Sequence, residues 1–199
     1  MSSVDSGDST RDKILRAGEK LFAADGFDRV TLRQIAREAD QRNVAAVQYH
    51  FGSKAGLLSA IVDDHRIEID DRRAELLEKA EKDGVDSDFG TLLSILVDPL
   101  AAKLDSPAGR AYLRIQAQGL TNSEMRPATR SLIGRIGRHL DELEPTARTT
   151  SHRGRFALLL LFHALADRAG QESSGRARRA DRAAFVAELS ASLRGLMSA

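Results

Sequence analysis

An all-α fold is what this sequence predicts, on three observations. Apolar residues recur at helical spacing through most of the chain, and no stretch shows the alternation of a half-buried strand. Clusters of Gly, Pro, Asp and Ser cut the pattern into helix-sized segments. At 199 residues there is enough chain for one or two small domains with a real core. Cysteine is absent, which excludes disulfides and thiolate metal sites. The expected division is a disordered polar lead-in over residues 1–9, a small three-helix unit over 10–58 and a larger helical domain over 59–199. The lead-in lacks the apolar run of a signal peptide.

The first helix can be capped by Ser9 or Thr10 and buries a stripe of Ile14, Ala17, Leu21 and Phe22. Gly26 closes it in a position that tolerates left-handed geometry, with Phe27 folding back onto the stripe. Arg11 and Lys13 can reach phosphates or stand as solvated surface charges.

Thr31 opens the next helix as N-cap, and Gln34 can complete a capping box. Leu32, Ile35, Ala36 and Ala39 form its inner face, while Arg33, Gln34 and Arg37 face water. A polar turn, Asp40-Gln41-Arg42, leads to Asn43 as N-cap of a two-turn helix. Val44, Val47 and Phe51 share its inner face, leaving Ala45, Ala46, Gln48 and Tyr49 outward. That outer chemistry suits a base edge: Gln bonds adenine, Ala meets the thymine methyl and Tyr reaches a phosphate. Gly52 permits a sharp turn, and Ser53 caps a helix with Lys54 in its first turn, where ammonium and helix N-terminus together suit a phosphate. Residues 10–58 therefore read as a helix-turn-helix DNA-binding domain. Its expected DNA-contacting residues are Thr31, Arg33, Gln41, Arg42, Asn43, Ala45, Ala46, Gln48, Tyr49, His50 and Lys54. The alternative is three small helices packed only for structure.

A family resemblance rests on these residues. Leu21-Phe22-Ala23-Ala24-Asp25-Gly26-Phe27, the run Val30 to Ala39, Tyr49-His50-Phe51-Gly52-Ser53-Lys54 and Leu57-Leu58 resemble the N-terminal domain of TetR/AcrR-type transcriptional regulators. The resemblance covers about the first sixty residues. Two positions depart from it: the turn after Ala39 is one residue longer than the usual small-residue turn, and Ala55 stands where an acidic residue often follows the Lys.

From Ser53 a helical pattern runs to about Lys82, roughly 45 Å if continuous. The resemblance implies that this helix is the mechanical link between DNA and effector. Its acidic pairs Asp63-Asp64 and Asp70-Asp71, with Arg66, Arg72 and Arg73, read as a solvated charged face. Lys82 to Asp88 breaks the helix. A strongly apolar helix is expected over Thr91–Leu104, with Pro99 as a kink or bend. Ser106-Pro107 starts another, carrying Tyr112, Leu113, Ile115, Gln116 and Leu120. A break over Asn122–Pro127 precedes a helix with Leu132, Ile133, Ile136 and Leu140, closed by Glu144-Pro145.

Two late helices carry the expectation of assembly. Arg155–Arg168 is apolar on nearly every side, and Asp181–Met197 bears an apolar stripe flanked by small residues. A two-fold four-helix interface is expected through Leu158, Leu161, Phe162, Leu165, Phe185, Leu189, Leu193 and Leu196. The alternative is a helix buried within a monomer. Gly170–Arg179 reads as a solvated Arg-rich loop.

Charge is uneven. Residues 9–58 hold nine Lys/Arg against six Asp/Glu, and residues 59–100 hold five against twelve. An acidic second region repels DNA and confines contact to one end. The longest apolar run is too short to span a bilayer, so a soluble, cytoplasmic protein with no membrane partner is expected. No Gly-rich phosphate loop, nucleophile elbow or HExxH motif occurs, and the five His do not pair at metal-ligand spacing, so no enzyme, cofactor or metal site is expected. A ligand cavity is expected among the helices of 91–165, with Tyr112, Gln116, His139 and His163 as candidates. The arginines from Arg110 to Arg138 can meet an anionic ligand such as an acyl thioester, or simply be solvated. By resemblance, the chain is expected to be a repressor: a homodimer on a palindromic operator, released by a small-molecule effector. The competing reading is an all-α small-molecule binding protein without sequence-specific DNA binding.

Overall fold

The computed structural model describes residues 9–86, 88–118, 127–143 and 152–198. The expectations for residues 1–8, Ser87, Leu120, the break over residues 122–126 and Glu144-Pro145 lie outside the described residues. Among the described residues every regular element is helical: α1 (Thr10–Asp25), α2 (Leu32–Glu38), α3 (Ala45–Phe51), α4 (Lys54–Asp83), α5 (Phe89–Ala101), α6 (Pro107–Ala117), α7 (Pro127–Leu143), α8 (His152–Ser173) and α9 (Arg182–Ser198). Short 3-10 turns cover Ala102–Asp105 and Arg179–Asp181. The chain is all-α, with an N-terminal helix-turn-helix followed by a larger helical part.

It divides into two compact units, Met1–Asp64 and His65–Ala199. The division falls inside α4, past the expected residue 58.

In the first unit, Ser9 caps α1 by accepting from the Asp12 amide. α1 packs on both α2 and α3. Ile14, Phe22, Ile35, Val47, Leu57 and Ile61 are fully buried together in this unit. Gly18 lets α4 approach α1 closely, since a Cβ there would lie 2.6 Å from Leu57.

The second unit is built on α5, α6, α8 and α9, with α6 against α8, α8 against α9, and α5 against α7, α8 and α9. Capping follows the sequence closely. Asp88 accepts from the Thr91 amide at the head of α5, and Ser106 accepts from Gly109 ahead of Pro107 at the head of α6. α8 runs past both its expected ends. α8 begins at His152 and continues through Gly170 to Ser173, where Gly175 at φ 71° terminates it, with Arg176 bonding back to the Gln171 carbonyl.

The arginines of the Gly170–Arg179 segment, Arg176, Arg178 and Arg179, are exposed as expected, and the less exposed arginines flank it. Arg168 is buried and donates to Glu172 (2.8 Å) and to the Arg178 carbonyl (2.6 Å). Arg182 donates to both Glu172 oxygens and to the Leu104 carbonyl, and Arg179 pairs with Asp105. These bonds hold Glu172 well below the ordinary carboxylate range, at about 2, the hydrogen bonds from Arg182 being the largest cause. This partly buried network joins α8, α9 and the 3-10 turn before α6.

Candidate functional site

The helix-turn-helix starts from a complete capping box. The Thr31 hydroxyl accepts from the Gln34 amide, and the Gln34 side chain accepts from the Thr31 amide at 2.8 Å. α2 ends in a Schellman turn. The Gln41 amide reaches the Ala36 carbonyl at 2.8 Å, and the Asp40 amide reaches Arg37. Asp40 occupies the left-handed position at φ 55°, where glycine is usual.

α3 begins one residue later than the N-cap at Asn43 would require. Asn43 still serves the helix start, its Oδ1 accepting from the Ala45 amide at 2.9 Å, but Val44 is the capping position. Val47 is fully buried, and Tyr49 is 86% exposed. Ala45 and Gln48 are exposed, with Ala46 and His50 half-buried; the Tyr49 and His50 rings meet edge-on at 5.1 Å. Arg33 and Arg42 are exposed on α2 and in the turn. Gln41 is less free, since its amide nitrogen donates to the Ala39 carbonyl at 3.0 Å. A close backbone approach sets how α4 leaves α3: a Cβ on Gly56 would lie 2.1 Å from the Phe51 carbonyl oxygen.

Lys54 departs from expectation. Its ammonium donates to the carbonyls of Phe27 (2.8 Å) and Val30 (3.0 Å) and sits 4.3 Å from the centre of the Phe27 ring. It is a tie within the unit, with two of its three protons engaged. Arg11 likewise lies over the Phe51 ring at 5.3 Å.

The second unit contains a cavity of about 290 Å³, at the small end for ligand pockets. Aliphatic side chains from α4, α5, α7, α8 and α9 make most of its wall. Of the four expected ligand residues it brings together two. Tyr112 and Gln116 line it, one helical turn apart on α6 and hydrogen-bonded to each other. Burial pushes the Tyr112 phenol up from its ordinary value. His139 does not line it: its ring lies 3.8 Å from Asp86 and 4.0 Å from Glu81. His163 is exposed on α8. The arginines of Arg110–Arg138 are not in the wall either: Arg110 donates to the Leu104 carbonyl, and Arg135 pairs with Glu81 at 2.6 Å.

The polar wall that sequence reasoning missed comes from α4. Arg66, Asp70 and Arg73 line the cavity, with Thr129 of α7 donating to Asp70. These had read as a solvated charged face. Arg73 is instead buried, donating from Nη2 to the Leu96 carbonyl at 2.9 Å, with Nη1 3.8 Å from Asp70. Burial holds its guanidinium below the ordinary value. The signal available in the sequence was the spacing of Arg66, Ile69, Asp70 and Arg73, which puts charge on the same helical face as apolar residues.

The residues expected at a dimer interface divide. Leu161, Leu165, Leu189 and Leu193 are buried within the unit's own core, because α8 and α9 pack on each other and on α5. Phe185 lies under Arg168 at 5.3 Å, Phe162 lines the cavity and Leu196 is half-buried. Leu158 is 53% exposed, as is Phe156, with Leu159 at 48% and Leu160 at 38%. On α9 the exposed side carries Ala187, Ala191 and Gly195. No helix among the described residues is long and apolar enough to cross a membrane.

Residues 14–61 match the family model of bacterial regulatory proteins of the tetR family. A stretch of 56 residues is 41% identical to YttP of Bacillus subtilis (strain 168), a probable HTH-type transcriptional regulator, over 28% of this chain. The chain thus matches 27% of that relative's length. Two crystal structures of gamma-butyrolactone receptors, ArpA-like proteins, share the fold at 20% identity with TM-scores of 0.52 and 0.51. They cover 94% of this chain and 97% and 96% of their own.

Proposed function

We propose that this chain, a member of the TetR family of bacterial regulatory proteins by its N-terminal domain, is a ligand-responsive transcriptional repressor. In this reading it is a cytoplasmic, non-enzymatic homodimer on a palindromic operator, released by a small-molecule effector. The observation that carries the reading is the two-sidedness of α3. Val47 is fully buried beneath it, while Gln48 and Tyr49 stand outward on a helix held by two others. Such a face presents an amide and a phenol to base edges and phosphates without needing to rearrange. Arg33, Arg42, Asn43 and Ala45 extend the exposed face around it, with Ala46 and His50 half-buried at its edge.

The cavity supports an effector, and α4 supports coupling. This one helix contributes Leu57 and Ile61 to the core of the first unit and Arg66, Ile69, Asp70 and Arg73 to the cavity wall of the second. An occupant that moves those wall residues moves the helix that backs α1, and so changes the spacing of two recognition helices.

For the dimer, the exposed apolar side of α8 favours an interface through Phe156, Leu158, Leu159 and Leu160. The small residues Ala187, Ala191 and Gly195 of α9 allow close approach. Two-fold symmetry then sets the half-sites about 34–36 Å apart or a multiple of that.

Selection of duplex DNA from a random pool by the purified protein tests the reading. Enrichment of a palindrome is expected. A folded protein that enriches no duplex would favour a small-molecule binding protein whose N-terminal helices merely pack.

A further inference from the structure

We infer that the cavity of the second unit takes an uncharged ligand held by apolar contact, and that it rejects anions and cations of the same size. This rests on the reading of the cavity as the effector site and names the charge class of its ligand.

The polar side chains in the wall are Arg66, Asp70, Arg73, Tyr112, Gln116 and Thr129. Four of them have little surface to offer in any direction: Tyr112 is 2% exposed, Thr129 6%, Gln116 8% and Arg73 9%. Their hydrogen bonds also run within the chain. The Thr129 hydroxyl donates to Asp70, Arg73 Nη2 donates to the Leu96 carbonyl at 2.9 Å, and Gln116 bonds Tyr112. The Arg73 Nε has no partner, but it has almost no accessible surface either, so it is closed to a ligand. One Asp70 oxygen is taken by Thr129, and the other lies 3.8 Å from Arg73 Nη1. Arg66 is half-buried and engaged by a partner of its own. Among the described residues, the wall presents no uncommitted charge.

That pairing decides what can enter. An ion would leave its hydration in water and meet aliphatic side chains, with no free counter-charge to receive it. Capturing Asp70 or Arg73 from each other would leave the abandoned group buried and unpaired, which costs again. An uncharged molecule loses little hydration and gains by burying its apolar surface. At about 290 Å³ the space suits a small one.

Calorimetric titration at neutral pH with 1-octanol, sodium octanoate and octyltrimethylammonium bromide tests this. Octanol should bind once per chain, and each ion at least about tenfold more weakly. From hexanol through heptanol to octanol, affinity should rise about fourfold per methylene. Ile133→Trp places bulk in the cavity from α7 and should weaken octanol binding at least about tenfold with the helical signal kept; Leu96→Trp does the same from α5 if the first variant fails to fold. The comparison of charges needs no variant, so it stands whatever the variants do. Either ion binding as tightly as octanol, an affinity flat with chain length, no octanol binding, or full octanol binding in a folded Trp variant would overturn the assignment. Duplex selection is scored separately. Its failure removes the regulator reading, whereas the octanol-to-ion ratio decides the charge class.

Discussion

The Lys54 ammonium donates to the Val30 carbonyl at 3.0 Å, tying the first turn of α4 to the residue that precedes the N-cap of α2. With the Phe27 carbonyl as second acceptor, the lysine is a strut of the three-helix unit. Charged donors to part-buried carbonyls contribute about 1.5–3 kcal/mol, so Lys54→Met should destabilise the protein by about 2 kcal/mol in chemical denaturation. Duplex affinity would fall with folding. Yet at temperatures where the variant is folded, the slope of log K against log salt should match the parent, whereas a lost phosphate contact lowers it by about one.

Asp40 holds a left-handed conformation at φ 55° in the turn between α2 and α3. A side chain there costs about 1 kcal/mol relative to glycine. Asp40→Gly should therefore raise stability by about 0.5–1 kcal/mol, because part of the gain is offset by the entropy of a glycine in the unfolded chain. Thermal unfolding of the two proteins side by side checks it; a lower midpoint for the glycine variant would show that the Asp side chain contributes more than strain.

Glu172 lies at about 2, depressed by hydrogen bonds from Arg182 and Arg168, against 4.5 for an unstrained glutamate. A depressed carboxylate stabilises the fold above its unfolded value and loses that contribution as pH falls toward its folded value. The network should therefore contribute fully above about pH 4.5 and fade between about pH 4.5 and 2. Its side chain is only 6% exposed. Discounting for screening around the partly exposed network, Glu172→Gln should cost about 2 kcal/mol at neutral pH. Urea titrations of both proteins should converge as pH approaches 2; a gap independent of pH would assign the effect to packing.

The exposed side of α8 yields a prediction about assembly. Phe156 and Leu159 are about half exposed and stand three residues apart on one face. Replacing both with Glu places charge where a second copy would bury apolar surface. The variant should run as a monomer in light scattering and lose selected-duplex binding at least about tenfold, with its helical signal kept. A dimer that survives would move the interface elsewhere.

Most of the architecture was legible because helical periodicity and capping are local. Thr31 with Gln34 and Ser106 with Pro107 each mark a boundary through atoms within three residues. What was illegible depends on partners distant in sequence. Arg73 reads as a surface charge until the Leu96 carbonyl, 23 residues on, is placed beside it. The role of Arg182 cannot be read until Asp105 arrives from more than seventy positions away. Lys54 has the right type for a phosphate, but its tie to the loop carbonyls of Phe27 and Val30 cannot be read from the sequence. On α8 and α9 the apolar stripe was found correctly, but Leu161, Leu165, Leu189 and Leu193 serve the chain's own core. A stripe says that a face is buried and is silent on which molecule buries it.

The central claim is that the outer face of α3 reads DNA, and the affinity of Tyr49→Ala and Gln48→Ala for a selected palindrome tests it most directly. Tyr49 is 86% exposed, so its truncation should leave the thermal midpoint unchanged. Each variant should lose about tenfold or more in affinity for the palindrome, and Gln48→Ala should relax preference at one base pair per half-site. Unchanged affinity in both variants, with the palindrome still selected, would contradict the claim and assign DNA recognition to another surface.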